Sequence, residues 1–258
     1  MELFYRHFGN GYPTVILHGL FGISDNWVTF GRELSSHFSV YLPDLRNHGQ
    51  SPHSSIFDFP ALGSDILEFC ETHQLNQINL IGHSLGGKTA MLLALQHPEL
   101  VSKLVVVDIS LRKSPPDRDH QKLLDAMFAV DFSSAASRSD VERQLSGAIP
   151  SARIRQFLLK NVYWRDRHVL DWRLNLKGIN ENLLLVFESI DFPGQFIRPS
   201  LFIRGGASDY ILDSDIPMIK SKFPGATVET IEKASHWVHA DAPGEFYRLV
   251  SEFLLKAD

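Results

Sequence analysis

Cysteine is almost missing from this chain: Cys70 is the one thiol in 258 residues, which excludes an intrachain disulfide framework. It falls on the apolar face of an expected helix with no histidine or glycine turn beside it, so a buried, inert thiol is expected. Also missing is a block of like charge. The formal net charge is −5 with the signs intermixed, which argues against nucleic acid as a partner. No apolar run approaches the length of a membrane span. The start, Met1-Glu2-Leu3-Phe4-Tyr5-Arg6-His7, lacks the basic-then-apolar pattern of a secretory signal, so a soluble, cytoplasmic protein without a membrane span is expected. The twelve histidines include no His-Glu-x-x-His, and neither paired cysteines nor a carboxylate-dense loop accompany them, so no metal is expected. Nor is a cofactor. Gly86-Gly87-Lys88-Thr89 ends like a phosphate-binding loop, but the first glycine is absent at the required spacing and a serine holds the apex.

What is present is a rhythm of short apolar runs and helical patterns, in a chain whose 44% hydrophobic content supports a sizeable core. Strands are expected at Thr14–Leu17, Ser39–Leu42, Ile78–Ile81, Lys103–Val107, Leu201–Ile203 and Thr227–Ile231. Helices between them are marked by Trp27, Phe30 and Leu34, by Leu62, Ile66, Phe69 and Cys70, by the stretch running to His97-Pro98, and by Ile216 and Ile219, with Asp213 as an expected cap. A last helix carries Phe246, Leu249, Val250, Phe253 and Leu254 at helical spacing. The alternation predicts an α/β fold with a doubly wound, mostly parallel sheet. Between Asp108 and Pro199 the rhythm breaks into helical patches, too long an interval for a loop in a compact domain. The division expected is a core of residues 1–111 and 197–258 with a mainly helical cap, residues 112–196, inserted after the Val105–Val107 strand. The alternative is that this interval continues the sheet, with Leu183–Phe187 as a strand.

Gly82-His83-Ser84-Leu85-Gly86 joins an expected strand to an expected helix, which makes it a nucleophile elbow rather than a chance match to G-x-S-x-G. Glycines two residues either side of the serine leave room for a strained turn, and the Leu85 N–H at the helix start is unpaired and placed to bind an oxyanion. A serine hydroxyl needs a base, and the base needs an acid that fixes its tautomer. His236, just beyond the last strand in Ala234-Ser235-His236-Trp237-Val238-His239, is the base expected, with His239 read as a capping or packing residue. Two acids compete, Asp108 and Asp209, because each follows a strand; chain order does not choose between them. The second oxyanion donor is expected from His18-Gly19-Leu20-Phe21-Gly22, with the Leu20 N–H first and the Phe21 N–H as the alternative. His18 reads as a structural histidine, and Asp44-Leu45-Arg46-Asn47-His48-Gly49-Gln50-Ser51 as a hydrogen-bonded scaffold loop. His18, Gly19, Trp27, Trp172 and Trp237 are the expected substrate contacts, and Phe128, Phe157, Trp164, Trp172 and Leu174 are candidates for an apolar acyl-binding wall.

These motifs together resemble the α/β-hydrolase superfamily, and within it the YbfF-type bacterial esterases of the abhydrolase-11-like group. The resemblance runs from the first strand to the last helix and is weakest across the cap. It implies an eight-stranded, mostly parallel sheet with the cap after the sixth strand, and a serine hydrolase cleaving small-molecule acyl esters or thioesters through an acyl-enzyme. It also implies Asp108 as the acid, whereas most α/β-hydrolases use the position of Asp209. The family's Gly-Gly-Asn-Ser after the penultimate strand is here Gly205-Gly206-Ala207-Ser208. Competing functions are a catalytically silent ligand- or partner-binding protein of the same fold, or lactonase or perhydrolase chemistry on the same serine.

Overall fold

In the computed structural model, which describes residues 1–114 and 118–256, the sheet contains seven strands. They are β1 (Tyr5–Phe8), β2 (Tyr12–Leu17), β3 (Phe38–Pro43), β4 (Ile78–His83), β5 (Val101–Val107), β8 (Ser200–Gly205) and β9 (Ala226–Ile231), in the spatial order β1-β3-β2-β4-β5-β8-β9. Only β1 runs antiparallel, on the edge beside β3. The sheet therefore has one strand fewer than the eight expected, and the long excursion leaves after its fifth strand, not its sixth. Residues 1–4 form no strand; Leu3 is buried in the core instead.

The helices α1 (Val28–Leu34), α2 (Phe59–Thr72), α3 (Leu85–Gln96), α8 (Ile216–Lys222) and α10 (Pro243–Leu255) cover the two faces, with α9 (Val238–Asp241) a single turn before the last of them. One apolar cluster joins α2, α3 and α8 to one face, and a second joins Trp27, Leu34, Phe246 and Val250 to the other. With both faces covered, β4 is buried at every position and β5 at every position but Ser102, which explains the apolar stretches Leu80-Ile81 and Leu104–Val107 within them. Asp58 caps α2 by accepting from the Ala61 N–H at 2.8 Å. Asp213 does not cap α8 as expected: it opens a 3₁₀ turn over Asp213–Asp215 and pairs with Arg204 at 2.7 Å.

Between β5 and β8 lie α4 (Arg118–Phe128), α5 (Arg138–Ser146), α6 (Ala152–Leu159), a hairpin of β6 (Val162–Asp166) and β7 (Val169–Trp172), and α7 (Leu176–Glu181). The hairpin was not foreseen in the helical reading, because its exposed, charged strand Val162-Tyr163-Trp164-Arg165-Asp166 carries no buried pattern beyond its first residue. Leu183–Phe187 is a 3₁₀ turn and not a further sheet strand. Among the described residues no helix is long and apolar enough to cross a membrane.

Candidate active site

Parallel register brings the carboxyl ends of the central strands to one edge. Gly82 lies opposite Val106 and His83 opposite Val107, so Ser84 and Asp108 are the next residues out of β4 and β5. Each is anchored to its neighbour strand, the Ser84 N–H to the Val107 carbonyl at 3.1 Å and the Asp108 N–H to the Ile203 carbonyl at 2.8 Å. Both are held at positive φ, 52° and 49°. A non-glycine residue persists there only when its surroundings over-determine it. At Ser84 the surroundings include Gly82 and Gly86: a side-chain carbon on Gly82 would collide with the Gly86 carbonyl, and one on Gly86 with the Leu17 carbonyl.

Asp108 is fully buried and accepts three hydrogen bonds. The Gly205 N–H donates to Oδ1 at 2.9 Å, the Ser208 hydroxyl to Oδ2, and the His236 Nδ1–H to Oδ2 at 2.8 Å. The last bond assigns the hydrogen of His236 to Nδ1 and leaves Nε2 as the unprotonated nitrogen. Asp209 is exposed, and its backbone carbonyl accepts from Arg112 Nη2 at 2.7 Å. Of the two candidate acids, Asp108 is the one bonded to the His236 ring. Ala207 is braced by its N–H to the Ala234 carbonyl at 2.9 Å.

The His236 loop is held from below and from one face. His83 Nε2–H donates to the His236 carbonyl at 2.9 Å, and the Tyr210 ring stacks on the His236 ring, centroids 3.9 Å apart and 20° from parallel. Neither contact was foreseen. The Ser208 bond was not either, although the Gly205-Gly206-Ala207-Ser208 signature held its signal. Burial drives the pKa of His83 well below the ordinary value, with His236 and His239 adding like-charge penalties. His239 stacks on Trp27 at 4.2 Å, and desolvation lowers its pKa to about 3, so it packs as a neutral ring in keeping with its expected role.

A cavity of about 220 Å³ opens on this edge, bordered by Ser84, His236, His18, Gly19, Trp27 and Trp237 among others. Ser84 and His236 thus share one chamber, although the His236 ring is bonded here to Asp108 and not to the serine. Of the five apolar wall candidates only Phe157 reaches the chamber, edge-on to Trp237 at 4.2 Å. Phe128 and Trp164 are half exposed, and Leu174 is buried inside the excursion. Trp172 likewise does not border the chamber: it is buried inside the excursion, its indole N–H donating to the Met127 carbonyl at 3.0 Å. Amphipathic spacing tells that a residue is buried, not which of two apolar surroundings it faces.

On the β2 side, the Leu20 and Leu85 N–H groups form no hydrogen bond among the described residues. Leu85 opens α3 and so has no acceptor within the helix. The Phe21 N–H, the alternative donor, is given to His48 Nε2 at 3.2 Å. His18 accepts from the Leu45 N–H at 3.0 Å and donates to the Gly19 carbonyl at 2.9 Å. His18 and His48 are buried braces, with desolvation lowering their pKa values to about 4 and about 3. Behind them Arg46 grips Asp65 with two bonds of 2.6 and 2.8 Å, and Asp44 accepts from the Ser24 and Gln50 N–H groups, as a scaffold loop requires.

These depressed histidines make stability depend on pH. An unfolded chain takes up a proton on each below about 6.5, while the folded chain refuses it until about 4 or 3, so stability is lost as pH falls through 6.5. At about 1.4 kcal/mol per pH unit each, His18 and His48 together predict a loss of about 2–3 kcal/mol between pH 7.5 and 5.5. Urea unfolding at the two pH values checks this; equal stability contradicts it.

Comparison with known proteins bears on the family and the fold. A family model described as the alpha/beta hydrolase fold matches residues 12–243. The sn-1-specific diacylglycerol lipase ABHD11 of Xenopus laevis is 40% identical over 253 residues, covering 96% of this chain and 81% of the relative. The esterase YbfF of Escherichia coli is 31% identical over 248 residues, covering 95% and 94%. A solved structure described as a marine microorganism esterase superposes with a TM-score of 0.95 at 41% identity, covering 98% of this chain and 99% of that one.

Proposed function

The chain belongs to the α/β-hydrolase fold family, and from that premise we propose that Ser84, His236 and Asp108 are the catalytic triad of its ester-hydrolysing reaction. Serine ester hydrolysis is the activity that family, relatives and fold support together. The observation that carries the residue assignment is the 2.8 Å bond from His236 Nδ1 to a buried, triply bonded Asp108, on a ring that borders the same chamber as Ser84.

The reaction follows from these positions. Ser84 Oγ turns onto His236 Nε2, a bond that tightens in the substrate complex. The oxygen attacks the ester carbonyl carbon as its proton passes to Nε2. The carbonyl oxygen becomes an anion held by the Leu20 and Leu85 N–H groups. Collapse breaks the bond to the alcohol, which departs carrying the proton from His236, and the acyl group stays on Ser84. Water then enters, gives its proton to His236 and displaces Ser84, whose oxygen recovers that proton. One ester and one water become one acid and one alcohol. Acyl thioesters fit the same steps with a thiol as leaving group.

Residues 112–196 are assigned as a lid over a core of 1–111 and 197–258, on the support that α4 and α6 contribute Leu123, Ile154 and Phe157 to the chamber wall. Stopped-flow mixing with p-nitrophenyl acetate tests the reading: a burst of nitrophenol equal to the enzyme concentration is expected before the steady rate. A linear course at every substrate concentration, with no acyl-enzyme detected, contradicts it.

A further inference from the structure

Two cavities meet at Ser84, and they differ in the catalytic groups they hold. The first is the chamber of about 220 Å³; the second, about 20 Å³, runs past Leu85 to Lys88, Ile109, Val186 and Phe187. Ser84, Leu20, His120 and Tyr210 border both. Among the described residues, His236 borders the larger one alone and Leu85 the smaller one alone.

An ester attached at Ser84 extends in three directions. Its carbonyl oxygen faces the Leu20 and Leu85 N–H groups. Its alcohol oxygen must lie within reach of His236 Nε2, which returns the proton on departure. The acyl chain takes the direction that remains. Since His236 belongs to the large chamber, the alcohol extends there, toward Leu123, Ile154, Phe157 and Trp237, and the acyl chain enters the small cavity. About 20 Å³ is little more than the room one water occupies.

The walls of that small cavity are tied. Lys88 is buried, and its ammonium donates to the carbonyl oxygens of Arg112 at 2.9 Å, Phe187 at 3.3 Å and Glu188 at 2.5 Å. The Ser114 N–H donates to the Phe187 carbonyl at 2.8 Å, and the Phe187 ring meets His120 edge-on at 5.3 Å. A buried ammonium stripped of these acceptors would be left unpaired, so widening the cavity breaks bonds that water does not replace.

We propose that this enzyme selects short acyl groups, acetyl to propionyl, carried on long apolar alcohols. The inference rests on the acyl-enzyme reading above and adds which side of the ester each cavity takes. It reverses the sequence-based expectation of an acyl-binding wall built by the excursion's aromatics.

Four ten-carbon isomers, octyl acetate, hexyl butyrate, butyl hexanoate and ethyl octanoate, test it with composition held constant. The expected kcat/KM falls along that series by at least about a hundredfold from first to last, since each methylene that does not fit costs about tenfold or more. Val186→Ala is expected to raise hexyl butyrate relative to octyl acetate, and Val186→Leu to lower it, with unchanged far-UV circular dichroism. Ethyl octanoate equal to or better than octyl acetate overturns the proposal and leaves the acyl-enzyme reading standing. So does a series indifferent to both folded Val186 variants. No hydrolysis of any isomer by a folded enzyme overturns both.

Discussion

Ser84→Ala lowers kcat for ester hydrolysis by about a million-fold, the scale on which removing a triad serine acts. The reasoning starts from the backbone. Residue 84 sits at φ 52° because β4 ends there, its N–H is tied to the Val107 carbonyl, and α3 begins at the next residue. None of these depends on the hydroxyl, and alanine tolerates the conformation as serine does. The fold therefore survives the substitution while the nucleophile is lost, and the oxyanion donors alone provide the remaining rate. Parallel measurement of kcat and of the thermal midpoint checks both halves. A variant retaining more than about a thousandth of the activity at an unchanged midpoint is inconsistent with an acyl-enzyme on Ser84.

Asp108→Asn lowers kcat by about ten-thousandfold, whereas Asp209→Asn leaves it near the parent value. An asparagine at 108 keeps one carbonyl oxygen for the Gly205 N–H but presents an amide hydrogen to His236. The imidazole then carries its hydrogen on Nε2, the nitrogen that must accept the proton of Ser84. At 209 the side chain is exposed and the contact made is through the main-chain carbonyl, which substitution leaves in place. Measured side by side, the two variants separate the competing acids. Equal losses would contradict the assignment.

The elbow was legible because the apolar run to Ile81, a glycine-flanked serine and a long helical pattern lie consecutively, and each signal is local. The place of His236 beside the chamber was legible for the same reason, since it follows the end of a strand. The acid was not. Asp108 and Asp209 both follow strands, and the choice depends on the Gly205 N–H and the Ser208 hydroxyl, which reach Asp108 across nearly a hundred residues of chain. Tyr210 on the His236 ring is likewise a contact between separate loops that no spacing rule encodes. The eight-strand expectation rested on the resemblance alone, and the edge strand Tyr5–Phe8 is too exposed to give an apolar run. Trp172 and Phe157 show the same limit in the excursion: both are apolar at helical or strand spacing, yet one packs on Met127 and the other on the chamber.

The central claim is that the hydroxyl at the strand end is activated by its imidazole. Intact-mass and peptide-mass analysis after treatment with a fluorophosphonate measures this directly. The account predicts one phosphonyl group per chain, located on Ser84 and absent from the Ser84→Ala protein. A folded wild-type chain that stays unlabelled, or carries the group on another residue, would contradict it.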